Sequence, residues 1–214
     1  MKTVLCFGDS NTWGYDPASA GLPWPRRHAI ENRWTGVLAR QLGADWRVIE
    51  EGMNGRTTVH DDPMVPGRNG KVALEILLET HKPIDVVVMM LGTNDLKTLF
   101  NAPAGEIATG VGVLAKMVLN SVAGPGDLPP KLLLVCPPPV GDFSGLPDLA
   151  EKFANGREKS LALPPRYETL AAQLGCAFLN TQDFVVPCEA DQIHLEASEH
   201  EKIGNAVAEE LQRF

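Results

Sequence analysis

The 214-residue sequence predicts a single α/β domain with three layers, α/β/α, built on a five-stranded parallel sheet. Three observations predict it. Apolar, β-branched runs recur along the chain. Stretches of helical period lie between them, so strand and helix alternate, which calls for a parallel sheet covered on both faces. No internal repeat, linker or low-complexity segment divides the chain, and its length suits one domain of the larger kind.

The elements follow in order. The first strand is expected at residues 3–7, and 16–25 reads as a Pro- and Gly-rich loop. A helix is expected over 32–42, with Trp34, Val37, Leu38 and Leu42 on one face and Gly43 ending it. The second strand covers 46–49, and 62–70 reads as a loop. Residues 71–81 form a helix bearing Val72, Leu74, Ile76, Leu77 and Leu78, with Pro83 beyond its end. The third strand spans 84–91, and 104–122 is a longer helix with an apolar face. After a loop at 124–130 comes the fourth strand, 131–136, and after another at 137–147 the pair Pro164-Pro165 breaks or starts a helix. That helix is expected over 166–174, the fifth strand over 176–179, and a last helix over 198–214.

Composition narrows the function classes. The chain is 44% hydrophobic and 21% charged, ordinary for a globular protein, and its net charge is −8. With no basic run to neutralise phosphates, neither nucleic acid nor an anionic membrane is an expected partner. No apolar stretch approaches the ~18 residues of a membrane span. The first seven residues hold one Lys and too short an apolar run for a secretory leader. Cys6, Cys136, Cys176 and Cys188 show no CxxC pairing, and three lie in or beside strand-like runs. They read as reduced, buried thiols, and the protein as cytoplasmic.

The signal lies in the loops. In an open parallel sheet, ligands bind beyond the carboxyl ends of the strands. The first strand runs into Gly8-Asp9-Ser10-Asn11, the second into Gly52-Met53-Asn54-Gly55-Arg56-Thr57-Thr58, and the third into Gly92-Thr93-Asn94-Asp95. Asp191-Gln192-Ile193-His194 follows the fifth. A serine becomes a nucleophile when a base takes its proton, and the base works best when a carboxylate orients it. Ser10, His194 and Asp191 suit those three parts. The N–H groups of Ser10 and Gly55 and the side-chain amide of Asn94 suit an oxyanion hole. Asp142 and Asp183 stay open as alternative carboxylates.

The bland readings are set beside these. Ser10 alone would pass for a helix cap. Asp9 reads as a loop-holding residue, and Asp95 as a cap of the following turn. Among the other histidines, His81 and His200 fall where solvated helix positions are expected. His28 and His60 lie in loops, and only Asp61 and Asp62, beside His60, come near. Trp13, Tyr15, Phe153 and Ile193 are candidates for the acyl or alcohol pocket, each nearly as well suited to core packing. Arg56 fits an ion pair or a surface position equally. No His and Asp residues have metal-ligand spacing, and no metal or other cofactor is expected. A flavodoxin-like sheet could instead serve a ligand-binding protein without catalysis. However, no GxGxxG or Walker pattern is present, and Asp9 stands where an anion would sit.

With these blocks quoted, the sequence resembles the SGNH (GDSL) hydrolase family, whose conserved blocks carry Ser, Gly, Asn and His in this order. The stretches "LCFGDS", "TWG", "RWTGVLA", "VIEEG", "RTT" and "MLGTND" are similar to its branch of bacterial arylesterases and acyltransferases with perhydrolase activity. The resemblance implies the SGNH hydrolase fold over residues 1–214 and a serine esterase for short-chain acyl esters. It implies nucleophile Ser10, base His194, acid Asp191, and oxyanion donors Ser10, Gly55 and Asn94. Asn11, Trp13, Tyr15, Thr93, Phe153 and Ile193 are then the expected substrate contacts. Acyl transfer to alcohols or peroxide is implied as a side reaction, and acetylated carbohydrates as an alternative substrate. The branch also implies a homo-oligomer, up to an octamer. Two positions depart from the pattern. Asn11 replaces the usual Leu, which would put an amide at the mouth of the site. Gly55 stands where the branch's acyltransferase has Ala, so the resemblance does not extend to strong transfer in water.

Overall fold

A computed structural model describes residues 1–214. Five strands, β1 (Lys2–Gly8), β2 (Trp46–Gly52), β3 (Val86–Met90), β4 (Lys131–Cys136) and β5 (Ala177–Asn180), form one sheet in the order β2-β1-β3-β4-β5. Every adjacent pair is parallel. The helices are α1 (Ser10–Trp13), α2 (Trp34–Leu42), α3 (Gly70–His81), α4 (Ala104–Leu119), α5 (Pro147–Lys152), α6 (Gly156–Leu161), α7 (Pro164–Leu174) and α8 (Ala197–Leu211).

Strand pleating explains why the central strands are continuously apolar. Leu5 and Phe7 of β1, Val87 and Met89 of β3, and Leu132 and Leu134 of β4 enter one core with α3, α4 and α7. Their alternates, Val4, Cys6, Val86, Val88, Leu133 and Val135, enter a second core with α2 and α8. The three-layer expectation therefore holds. No helix is long and apolar enough to cross a membrane.

Most element boundaries shift by a few residues. On α3, Leu74 and Leu78 are buried, whereas Val72 and Ile76 are more than half exposed, so its apolar face is narrower than expected. The final helix stops at Leu211. Pro164 occupies the first turn of α7, where its missing N–H costs nothing. The region after β4 differs most: α5 and α6 were not expected between 147 and 161.

The switch point of the sheet lies at β1, whose neighbours β2 and β3 are reached by crossovers in opposite directions. Residues Gly8 and Gly52, paired across β1 and β2, end the two strands. A Cβ on Gly52 would run into the backbone of Thr12 and Trp13, and one on Gly8 into the Thr12 side chain. Only glycine lets α1 pass this close over the strand ends.

Candidate active site

Four loops meet above β1. The first begins with Asp9, which caps α1: its Oδ1 accepts from the Asn11 N–H at 3.0 Å. Its holding role was expected. The carboxyl is buried, and that burial raises its pKa to about 6 against the lowering effects of the Asn11 N–H and of His194. Ser10 follows as the first residue of α1, 6% exposed. First-turn N–H groups have no partner within a helix, so the Ser10 N–H is not consumed by α1.

His194 Nε2 lies 2.9 Å from Ser10 Oγ, and His194 Nδ1 lies 2.6 Å from Asp191 Oδ2. With the imidazole neutral, Nδ1–H donates to Asp191, and Nε2 is left to accept from the Ser10 hydroxyl. The other Asp191 oxygen, Oδ1, accepts from the N–H groups of Ile193 at 2.9 Å and His194 at 2.8 Å. The Cys188 thiol donates to it as well, at 3.1 Å. Burial of Asp191 would raise its pKa, but His194 and these backbone donors outweigh it and bring it down to about 2. Burial, helped by the same carboxylate, pushes the Cys188 thiol up to about 11.

The loop carrying Asp191 and His194 is closed on itself and anchored outside. Cys188 N–H donates to the His194 carbonyl and Gln192 N–H to the Cys188 carbonyl. Gln192 takes φ +60°, and its carbonyl accepts from Gly141 N–H at 2.7 Å. The Tyr15 ring stacks on the imidazole, centroids 4.0 Å apart at 20°, which limits how far His194 can swing.

The loop after β2 turns at Gly55, with φ +80°, a region that favours glycine. Arg56 then folds inward. It is 4% exposed, neither paired to an acid nor on the surface. Its Nη1 donates to the Gly8 carbonyl at 2.8 Å and to that of Glu51, and its guanidinium lies 4.4 Å over the Phe7 ring. It thus ties the ends of β1 and β2. Burial lowers its pKa to about 10.

The loop after β3 carries Thr93, 3% exposed, and Asn94, 7% exposed. One amide hydrogen of Asn94 goes to the Arg56 carbonyl at 3.0 Å, and no side-chain cap bond is made on the turn it starts. The second hydrogen is left for another acceptor. Asp95 does not cap that turn either. It is fully buried and accepts from Thr58 and from His60.

Several other expected positions differ. Asn11 is 2% exposed, and its amide donates to the Ile193 carbonyl at 3.3 Å. It cross-links two loops rather than lining the mouth. Ile193 and Phe153 are buried core residues, Phe153 stacked on Phe143. Phe153 still lines a cleft of about 210 Å³ together with Gly141 and Asp142, next to Gln192. Trp13 is half-buried under the Arg27 guanidinium, 5.3 Å from its ring. The Asp142 N–H donates to Gln192 of the histidine loop at 3.2 Å, but its carboxylate is occupied by Ser144, and the Asp183 carboxylate by Asn180, so neither holds His194. His200 is fully buried, not solvated, and His81 pairs with Glu51 at 2.8 Å. No three His, Cys, Asp or Glu side chains converge as a metal-binding group.

Cys188 was missed as a functional neighbour, because a thiol three residues before an aspartate carries no sequence signal of its own. The partner of His60 was missed for a different reason: Asp95 is 35 positions away.

The site can polarise a serine and hold a developing oxyanion. Comparison with known proteins points to the same chemistry. A family model described as GDSL-like Lipase/Acylhydrolase matches residues 6–201. Est24, a carbohydrate acetylesterase from Sinorhizobium meliloti, is 40% identical with TM-score 0.94, covering 100% of this chain and 99% of its own. The M. smegmatis aryl esterase is 42% identical with TM-score 0.93, covering 100% and 99%. A further carbohydrate acetylesterase family member from Sinorhizobium meliloti is 37% identical with TM-score 0.90, covering 100% and 98%. No curated protein matches the chain.

Proposed function

We propose, for a chain that belongs to the GDSL-like lipase/acylhydrolase family and is an esterase, a serine mechanism acting on short-chain acyl esters. The observation that carries this reading is the unbroken relay Asp191–His194–Ser10, with contacts of 2.6 and 2.9 Å. Ser10 Oγ attacks the ester carbonyl as its proton passes to His194 Nε2, and Asp191 stabilises the imidazolium. The oxygen gains charge and is held by the N–H groups of Ser10 and Gly55 and by the free amide hydrogen of Asn94. The tetrahedral adduct expels the alkoxide, which takes the proton from His194, leaving an acyl group on Ser10. Water, deprotonated by His194, then releases the acid. An alcohol or hydrogen peroxide can replace water in that second half.

Aryl acetates are the first substrate class. Acetylated carbohydrates are the second, supported by the likeness to carbohydrate acetylesterases and by the polar rim of the cleft beside Phe153, which includes Asp142, Ser144, Asn155 and Arg157. Free, mostly buried thiols support a cytoplasmic setting. Large exposed apolar side chains, Trp24 at 83% and Met64 at 79%, support a homo-oligomer of up to eight copies, measurable by sedimentation.

The test is Ser10→Ala. It should abolish hydrolysis of p-nitrophenyl acetate while leaving the melting temperature near that of the parent. Residual activity above about 1% would remove Ser10 from the nucleophile's role, since loss of a nucleophile costs several powers of ten.

A further inference from the structure

Two proposed oxyanion donors sit on different loops: Gly55 after β2 and Asn94 after β3. Neither loop alone fixes the gap between them. Asp95 spans it. Its Oδ1 accepts from the Thr58 hydroxyl at 2.6 Å and from His60 Nδ1 at 2.8 Å, and both its oxygens lie 3.0 Å from the Thr58 N–H. Asp95 is fully buried, so a carboxyl group without these donors would be costly. The His60 side chain is 29% exposed and stacks on Phe100, centroids 5.2 Å apart. Phe100 follows Asp95 on the same stretch, so the ring closes the joint from outside.

The joint shares no hydrogen bond with Ser10, His194 or Asp191. It acts on the backbone instead. Thr58 and His60 continue the loop that turns at Gly55, and the Arg56 carbonyl in that loop also holds the Asn94 amide at 3.0 Å. Displacing the loop therefore moves one donor directly and frees the amide of the other.

We propose that Asp95 is a positioning residue for the oxyanion site: through Thr58 and His60 it clamps the Gly55 loop to the Asn94 turn, so that both donors reach one oxygen. This rests on the serine mechanism proposed above. A donor out of place by a fraction of a hydrogen-bond length costs the charged transition-state oxygen more than the neutral ground-state carbonyl, so the loss belongs in kcat.

The variants are Thr58→Val, His60→Ala and His60→Asn, assayed on p-nitrophenyl acetate. Active chains are counted by the endpoint of labelling with a serine-directed phosphonate. Thr58→Val removes one hydroxyl and little volume. His60→Ala removes an outer donor at a partly exposed position, which keeps the test open if Thr58→Val does not fold. Thr58→Val and His60→Ala should each lower kcat per labelled site about tenfold, with KM within about twofold, the scale expected of misplaced rather than deleted groups. His60→Asn should recover most of the loss, because its amide can place an N–H where Nδ1 stood. Unchanged kcat per labelled site, a loss carried by KM, or a His60→Asn variant as slow as His60→Ala would overturn the proposal. Failure of the underlying mechanism looks different: the phosphonate would then leave Ser10 of the parent protein unlabelled.

Discussion

Asn94 has two amide hydrogens, and the Arg56 carbonyl holds one of them. Asn94→Ala should lower kcat by about 10²–10³ with KM little changed, the loss seen when a single oxyanion donor is removed. Asn94→Asp should be at least as slow, because a carboxylate would face both the Arg56 carbonyl and the oxyanion. A mere capping residue would tolerate Asp and lose about 1 kcal/mol of stability as Ala. Measuring kcat and melting temperature for both variants separates the two. The pH response divides in a similar way. Asp191 is held down to about 2, so it is ionised throughout any practical assay range. Its folded pKa lies below the unfolded value, so its stabilisation is present above about 3.9 and is lost only in stronger acid, as pH falls toward 2. Protonation of the Asp191 carboxylate therefore contributes nothing to any change of kcat/KM in mild acid, and its contact with His194 should persist there. His200 supplies a separate signal. Burial first, then His28, His194 and Arg33, lower its pKa to about 3. The unfolded chain binds that proton near 6.5 and the folded one does not, so stability falls as pH drops from about 6.5 toward 3. In His200→Asn, which keeps an acceptor for the Trp34 N–H, the melting temperature should depend less on pH between 7 and 4 than in the parent. Equal slopes would remove His200 as the cause. Asp9 shifts the other way, its stabilising effect present in acid and lost as pH rises through about 6, so the comparison must be made between variants.

At the scale of elements, Gly8 and Gly52 act as a pair. They face one another across β1 and β2 and clear the way for α1. Gly52→Ala should push the backbone at Thr12 and Trp13, cost about 1–3 kcal/mol as other overpacked sites do, and lower kcat by moving Ser10. Thermal unfolding with kinetics would check both halves; a variant of full stability and rate would mean that α1 yields freely. The same scale shows what the sequence makes legible. β1, β3 and β4 are apolar on both faces, so their runs stand out, and the two longest helices, α4 and α8, carry stripes that repeat over several turns. The loops after β1, β2 and β3 are legible because glycine, serine and asparagine abruptly follow apolar strands. α5 and α6 are six residues each, too short for a period to emerge, and Pro147 and Pro164 read as breaks. Arg56 reads ambiguously, and Asp95 reads wrongly as a cap, because their partners are decided by tertiary contact. Arg56 finds the Gly8 carbonyl 48 positions away, and Asp95 finds Thr58 at 37. Val72 and Ile76 misled in the opposite sense, as apolar residues on the exposed side of α3.

Over the whole molecule, the sheet is a partition between two cores, and the proposed catalytic groups stand at its rim where β1 changes neighbours. Packing in either core can therefore be altered without touching the site. Leu114→Ala, deep on the α4 side, should cost about 2–5 kcal/mol and leave kcat per folded chain close to the parent value. Denaturant titration and an assay at a temperature well below the transition would show it. The hydrogen bond between His194 and Ser10 joins residues 184 positions apart. A contact of that span closes nearly the whole chain into one loop, and the entropy of closure must be met by other contacts first. Turnover is thus a clock for assembly. During refolding from denaturant, burial of the tryptophans, among which Trp34 is fully buried, can be followed by fluorescence, and ester hydrolysis should return no sooner than the slowest phase of that signal. A ribosome-bound chain lacking the stretch beyond β5 would hold Ser10, the proposed nucleophile, with no histidine beside it, and on that mechanism could not cleave esters before its histidine loop arrives.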